Sequence, residues 1–146
     1  MSMSMSKSER EAFLAQTRVA IVSVAEDGRG PLTIPVWYHY EPGGVVRFLT
    51  GADSKKAGLM RKAGRIGLCV QSETPPYQYV SIEGPITIST EIDYERDFRQ
   101  MALRYLGNEM GEMYVAVTAS ERETTPSVLV TLRPERWLSV DYNKMG

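Results

Sequence analysis

One cysteine, one histidine and a net charge of −1 are the scarcities of this chain, and each removes a class of function. Cys69 alone leaves no internal disulfide and no multi-cysteine metal cluster, a usage that suits a reducing cytoplasm. With His39 as the only imidazole, catalytic triads and histidine-rich metal sites are out of reach. A pI of about 5.9 gives no whole-molecule attraction to nucleic acid or to an acidic membrane, so any anion site must be local. Long apolar runs are also missing. The run at 19–24, with Ser23 inside it, falls far short of the roughly 20 residues that span a bilayer. The opening "MSMSMSKSER" lacks the apolar core of a signal peptide, so residues 1–8 are expected to be a disordered tail and residues 9–146 a single domain.

What the chain does have is patterning. With 146 residues and 42% hydrophobic content it can build one real core. Helix formers with Phe13 and Leu14 predict a short helix over 9–16, capped by Ser8. β-branched runs over 18–26, 32–40 and 45–50, separated by Asp27-Gly28 and Glu41-Pro42-Gly43-Gly44, predict a meander. Pro35 cannot donate to a ladder, so its strand is expected to carry a bulge or a free edge. A helix is predicted over 54–62 and stops at Ala63-Gly64. Strands follow at 65–72 and 75–90, the latter with a bulge or bend expected at Gly84-Pro85. Amphipathic spacing of Phe98, Met101, Ala102 and Tyr105 predicts a helix over 93–106, then a second over 108–118 and a last strand pair broken by Pro134. Antiparallel meanders with few helical crossovers predict a mainly β fold with flanking helices, a six-stranded antiparallel barrel.

The stretch "TGADSKKAGLM" at 50–60 concentrates the chemistry. A strand ending at Thr50 hands over to a helix whose first N–H groups and positive dipole end face outward, the geometry that binds phosphate. Ser54 adds a hydroxyl; Lys55 and Lys56 add two charges. Six of the 17 Lys and Arg, namely Arg47, Lys55, Lys56, Arg61, Lys62 and Arg65, lie between positions 47 and 65 against one acid, Asp53. The plainer reading is a capped, solvated helix. Elsewhere reactive groups are few: His39 reads as a surface or partner-strand residue, Cys69 as a buried thiol, Glu83 as an acid satisfying backbone N–H groups, and Asp93 and Asp97 as solvated charge. No catalytic side chain and no metal ligand set is assigned. A bound redox cofactor that brings its own chemistry fits that lack.

"PLTIPVWYHYEPGGVVR", "FLTGADSKKAGLM", "RKAGRIGLCV" and "YQYVSIEGPITI", in this order and spacing, resemble the pyridoxamine 5′-phosphate oxidase-like split-barrel superfamily over about 9–142. The resemblance is nearest to its short flavin/deazaflavin-dependent oxidoreductase branch. It implies a homodimer with the cofactor, coenzyme F420 or alternatively FMN, at the interface, and hydride transfer to a small-molecule substrate. By that resemblance Ser54, Lys55 and Lys56 hold the cofactor phosphate and Thr50 faces the cofactor. Thr33, Ile34, Pro35 and Val36 line the ring, Gln78 and Tyr79 reach it across the dimer, and Trp137 walls the pocket. The C-terminal "RWLSVDYNKMG" has no Arg-x-His arrangement, which speaks against oxidation of vitamin B6. Arg61, Lys62 and Arg65 could track the glutamate tail of F420 or form an ordinary charged helix face. A non-catalytic carrier or sensor, and more distantly a haem-binding split barrel with His39 as ligand, are the alternatives.

Overall fold

A computed structural model describes residues 2–145. Alternation of buried and more exposed side chains builds the strands and decides their inward face. In β1 (Ala20–Val24) it buries Ala20, Val22 and Val24. In β4 (Val46–Gly51) it buries Val46, Phe48 and Thr50, and in β5 (Arg65–Gln71) Ile66, Leu68 and Val70. With β2 (Leu32–Val36), β3 (His39–Tyr40), β6 (Gln78–Ser89), β7 (Ser127–Leu132) and β8 (Arg136–Asp141) they form one antiparallel sheet in the order β2-β1-β5-β6-β7-β4-β3, with β8 added beside β6. The sheet curls into a split barrel. It has eight strands rather than the six expected, because the run at 32–40 divides and the last pair is two separate strands.

That division sets up the site. β2 pairs only with β1, leaving a free edge that carries Pro35 opposite Ile21. After Trp37 and Tyr38 the chain swings away, and β3 joins β4 instead. Tyr38 is fully buried and fixes the break: its hydroxyl donates to the Leu14 carbonyl at 2.6 Å and its N–H to the Tyr105 hydroxyl at 3.0 Å.

β6 belongs to both halves of the barrel. Its first half pairs with β5 and β8, its second with β7. At the changeover Gly84 lies against the β7–β8 connection so closely that a Cβ there would stand 1.9 Å from the Arg133 carbonyl oxygen. β6 keeps an unbroken register with β5 from Tyr79 to Pro85, so no bulge interrupts it there, and the glycine serves the close approach.

The helices lie outside. α1 (Lys7–Leu14) starts two residues earlier than its sequence suggests, because Ser6, not Ser8, is the N-cap and forms a capping box with Glu9. The segment before it is not a disordered tail where the structure describes it. Met5 is buried in the core, its N–H donates to Ser139 Oγ at 3.0 Å, and Met3 accepts from the Asp141 N–H at 2.8 Å. Met1 lies outside the described residues. α2 (Lys55–Ala63) ends at Gly64, whose φ of +70° closes the helix in the left-handed region. A π-helical turn (Glu95–Arg99) leads into α3 (Gln100–Leu106), followed by α4 (Asn108–Val117) and α5 (Ala119–Thr124). Gly111 permits the tight α3–α4 crossing, since a Cβ there would meet Leu103 at 2.8 Å. Among the described residues no helix is long and apolar enough to cross a membrane.

Candidate cofactor cleft

A cleft of about 470 Å³ opens between the free edge of β2, the end of β4 and the outer helices. Each wall has its own chemistry. Val19, Pro35, Val36 and Trp37 supply an apolar strand side; Asp97, Phe98, Met101 and Tyr114 supply the helical side. Thr50, Gly51, Lys56 and Ser127 supply a polar end at the start of α2.

The polar end is built by the Gly51–Ser54 junction. Ser54 Oγ accepts from Ala57 N–H at 3.2 Å and donates to the Gly51 carbonyl at 2.7 Å, so the hydroxyl is spent on capping and turn closure. Thr50 is different. It is 5% exposed, and its Oγ1 is buried with no hydrogen-bond partner in the protein. A buried hydroxyl left unpaired is unfavourable by about 1–3 kcal/mol, a cost that a ligand oxygen or N–H reaching it would remove. Lys56 lines the same end. Lys55 does not: it points to Glu26 at 3.1 Å and is 60% exposed. The proposed glutamate track is engaged locally as well. Arg61 donates to the Ala52 carbonyl, Lys62 pairs with Asp27, and Arg65 pairs with Glu135.

Of the residues singled out by resemblance, the structure brings Pro35, Val36, Thr50 and Lys56 together around the cleft, with Ser54 capping the helix at its end. Thr33 is exposed and Ile34 packs on the core. Gln78 and Tyr79 begin β6 away from the cleft, Tyr79 on the outer face opposite Gln71 and Val140. Trp137 also stands apart, edge-on to Tyr40 and beneath the Arg10 guanidinium at 4.6 Å. The aromatic that does wall the cleft is Trp37, stacked on Tyr105 at 5.1 Å and edge-on to Tyr114 at 5.7 Å.

Asp97 overturns its reading as solvated charge. It is 3% exposed, on the helical wall. Burial pushes its carboxyl up, but two bonds from Arg96 at 2.8 and 3.0 Å, the Asp93 N–H, and the Arg96 and Arg47 charges outweigh it and hold the group below its ordinary value. His39 is the partner-strand residue expected, in β3 opposite Arg47, but two other expectations shift: the Glu83 carboxylate faces Arg136 at 3.4 Å instead of accepting from backbone N–H groups, and the Cys69 thiol is not buried. Cys69 is exposed, because Ile66, Leu68 and Val70 take the inner face of β5 and leave position 69 outside. His39 lies off the cleft; its Nδ1 takes a bond from Arg104 at 2.9 Å, while Nε2 faces Glu41 at 3.4 Å.

Comparison with known proteins agrees with this architecture. An F420H(2)-dependent biliverdin reductase from Mycobacterium tuberculosis is 29% identical over 87 residues, 59% of this chain and 61% of that protein. A conserved hypothetical protein from Mycobacterium tuberculosis superposes with a TM-score of 0.79 at 24% identity, covering 99% of this chain and 90% of that one. A structure described as F420 reductase gives 0.65 at 17% identity over 88% and 94%. A family model described as pyridoxamine 5′-phosphate oxidase matches residues 6–141, and the chain belongs to that family.

Proposed function

We propose that the cleft holds a phosphate-bearing tricyclic redox cofactor, coenzyme F420 or FMN, and that the protein serves hydride transfer between it and a small organic acceptor. The observation that carries this reading is the unpartnered Thr50 hydroxyl beside Lys56 at the N-terminus of α2. A buried donor-acceptor, a cation and a helix dipole converge there on one anionic group. Lys56 and the first turn of α2 would hold the phosphate, and Pro35, Val36 and Trp37 would give a planar ring a dry apolar seat. When bound, either cofactor supplies the two-electron chemistry. The chain's own task is then orientation and exclusion of water, which suits a cleft whose one carboxylate, Asp97, is already satisfied by its neighbours.

F420 is the preferred cofactor because the relatives named above include two described by it. True pyridoxamine phosphate oxidation is not part of the reading. The assembly we propose is a two-fold dimer. Val19, Ile21, Leu138 and Tyr77, between 45% and 60% exposed, line the outer sheet face, and Val19 continues that face into the cleft rim. In such a dimer Tyr79 could approach a partner's cleft. Titration of purified protein with F420 and FMN, followed by absorbance and calorimetry, tests the cofactor; absence of binding to both refutes it. Turnover of the reduced cofactor no faster than in solution would indicate a carrier instead. Light scattering that reports a monomer with full cofactor affinity would refute the dimer.

A further inference from the structure

The helical wall of the cleft hangs from the barrel at two points. At its far end Arg104 reaches Thr17 Oγ1 at 2.9 Å, the Ala15 carbonyl at 2.9 Å and His39 Nδ1, while the Tyr105 hydroxyl meets the Arg18 carbonyl at 2.7 Å. At its near end the tie is electrostatic. Asp97 sits in the π-helical turn, gripped by Arg96 and the Asp93 N–H, and faces Arg47 of β4 across 3.7 Å. Arg47 Nε is buried with no hydrogen bond in the protein. Two other buried guanidinium nitrogens, of Arg10 and Arg18, belong to side chains lying flat over Trp137 and Phe13, whereas Arg47 has only Asp97. Between the two ties Phe98 and Met101 project to the cleft, with Tyr114 stacked on Phe98 at 5.8 Å.

We infer that Asp97, through Arg47, is a positioning residue that sets the distance between the Phe98–Tyr114 wall and the strand wall of Pro35 and Trp37, and so governs which acceptor fits beside the cofactor. The inference deepens the cofactor reading and rests on it for the word acceptor; the geometry it asserts belongs to the free protein. In the π-turn Asp97 and the adjacent Phe98 both border the cleft and Asp97 also faces Arg47 of β4, so a single residue step separates anchor from wall. The anchor is also one-sided. Loss of Asp97 leaves the largely buried Arg47 charge without a counterion, whereas loss of Arg47 leaves Asp97 its pair with Arg96 and cuts only the tie to β4.

The test uses Trp37, which sits in the cleft and is the sole tryptophan in a Trp137→Phe background. In that background, Asp97→Asn should raise acrylamide quenching of Trp37 in the free protein about twofold or more, as the wall loosens locally. It should also change the quenching of bound FMN fluorescence, while FMN affinity, set at the Lys56 end, moves less than about threefold. Arg47→Met tests the same tie from β4 and should give the same Trp37 signature; it decides the matter if Asp97→Asn does not fold. Quenching unchanged in Arg47→Met, or in a folded Asp97→Asn, overturns the inference. Failure of the unsubstituted protein to bind FMN or F420 would instead refute the cofactor reading and leave the Trp37 result standing.

Discussion

Replacing Lys56 and, separately, Lys55 with alanine distinguishes the geometry of the cleft from the bare Ser-Lys-Lys pattern. By sequence the two lysines are equivalent; in the structure Lys56 lines the polar end and Lys55 is turned to Glu26. A hydrogen bond from a charged group to an anionic oxygen contributes about 1.5–3 kcal/mol. Lys56→Ala should therefore weaken cofactor binding about 10- to 150-fold, at 1.4 kcal/mol per decade. Lys55→Ala removes an ion pair with the largely buried Glu26 that lies outside the cleft. It also removes a unit charge from the neighbourhood of the phosphate end, which in a water-like dielectric contributes at most about 1 kcal/mol. Its effect should stay below about fivefold. Calorimetric titration with F420 and FMN at low and moderate salt reads both values, and the Lys56 increment should shrink as salt rises. Equal losses in the two variants, or none in either, would refute the placement of the phosphate at Lys56.

Thr50→Val keeps shape and removes the unpartnered hydroxyl, so it should stabilise the free protein by about 0.5–2 kcal/mol in thermal unfolding while weakening cofactor binding; a loss of stability would mean that Oγ1 is not orphaned. Gly84→Ala drives a methyl against the Arg133 carbonyl and should destabilise by about 3 kcal/mol or more, read by denaturant unfolding, with a wild-type midpoint as the refuting outcome. His39 is held below its ordinary 6.5, first by burial and then by Arg47, with Arg104 adding and Glu41 opposing. A folded-state value below the unfolded one means the contribution of the neutral ring is complete above 6.5 and is lost as pH falls through the lowered value. The melting temperature of the wild type should accordingly fall more steeply from pH 7 to 5 than that of His39→Gln, which keeps an acceptor for Arg104; parallel curves would refute this.

The strand-to-helix junction at the polar end of the cleft was legible in sequence because its structure is local: Gly51, the Ser54 cap and the Gly64 stop all act within a few residues. Cys69 was legible too, had the alternation of Ile66, Leu68 and Val70 been carried through to the residue between them. Asp97 was not. Helical periodicity grades a whole face, and a charge on it reads as solvated unless the barrel arginine that meets it, 50 positions earlier in the chain, is known. Trp37 escaped for a related reason: the strand it ends is continuous in composition and is broken only by the tertiary hold on Tyr38. Ser6 displaced Ser8 as the cap because the segment before it is tied to β8, a contact between residues far apart in the chain.

β6 has a kinetic meaning. It is the one strand that stitches both halves of the barrel, and two of its three partners, β7 and β8, are not synthesised until residues 127–141. β4 waits for the same segment, since β7 covers its edge from Val46 to Gly51. During translation, then, the first two-thirds of the chain emerges with β4 and the second half of β6 presenting unpaired backbone, and the barrel closes only when its last fifth arrives. Such a chain is most vulnerable to aggregation before closure. Afterwards neither half can open without tearing the shared strand, and the amides of β6 should be the slowest in the molecule to exchange with solvent.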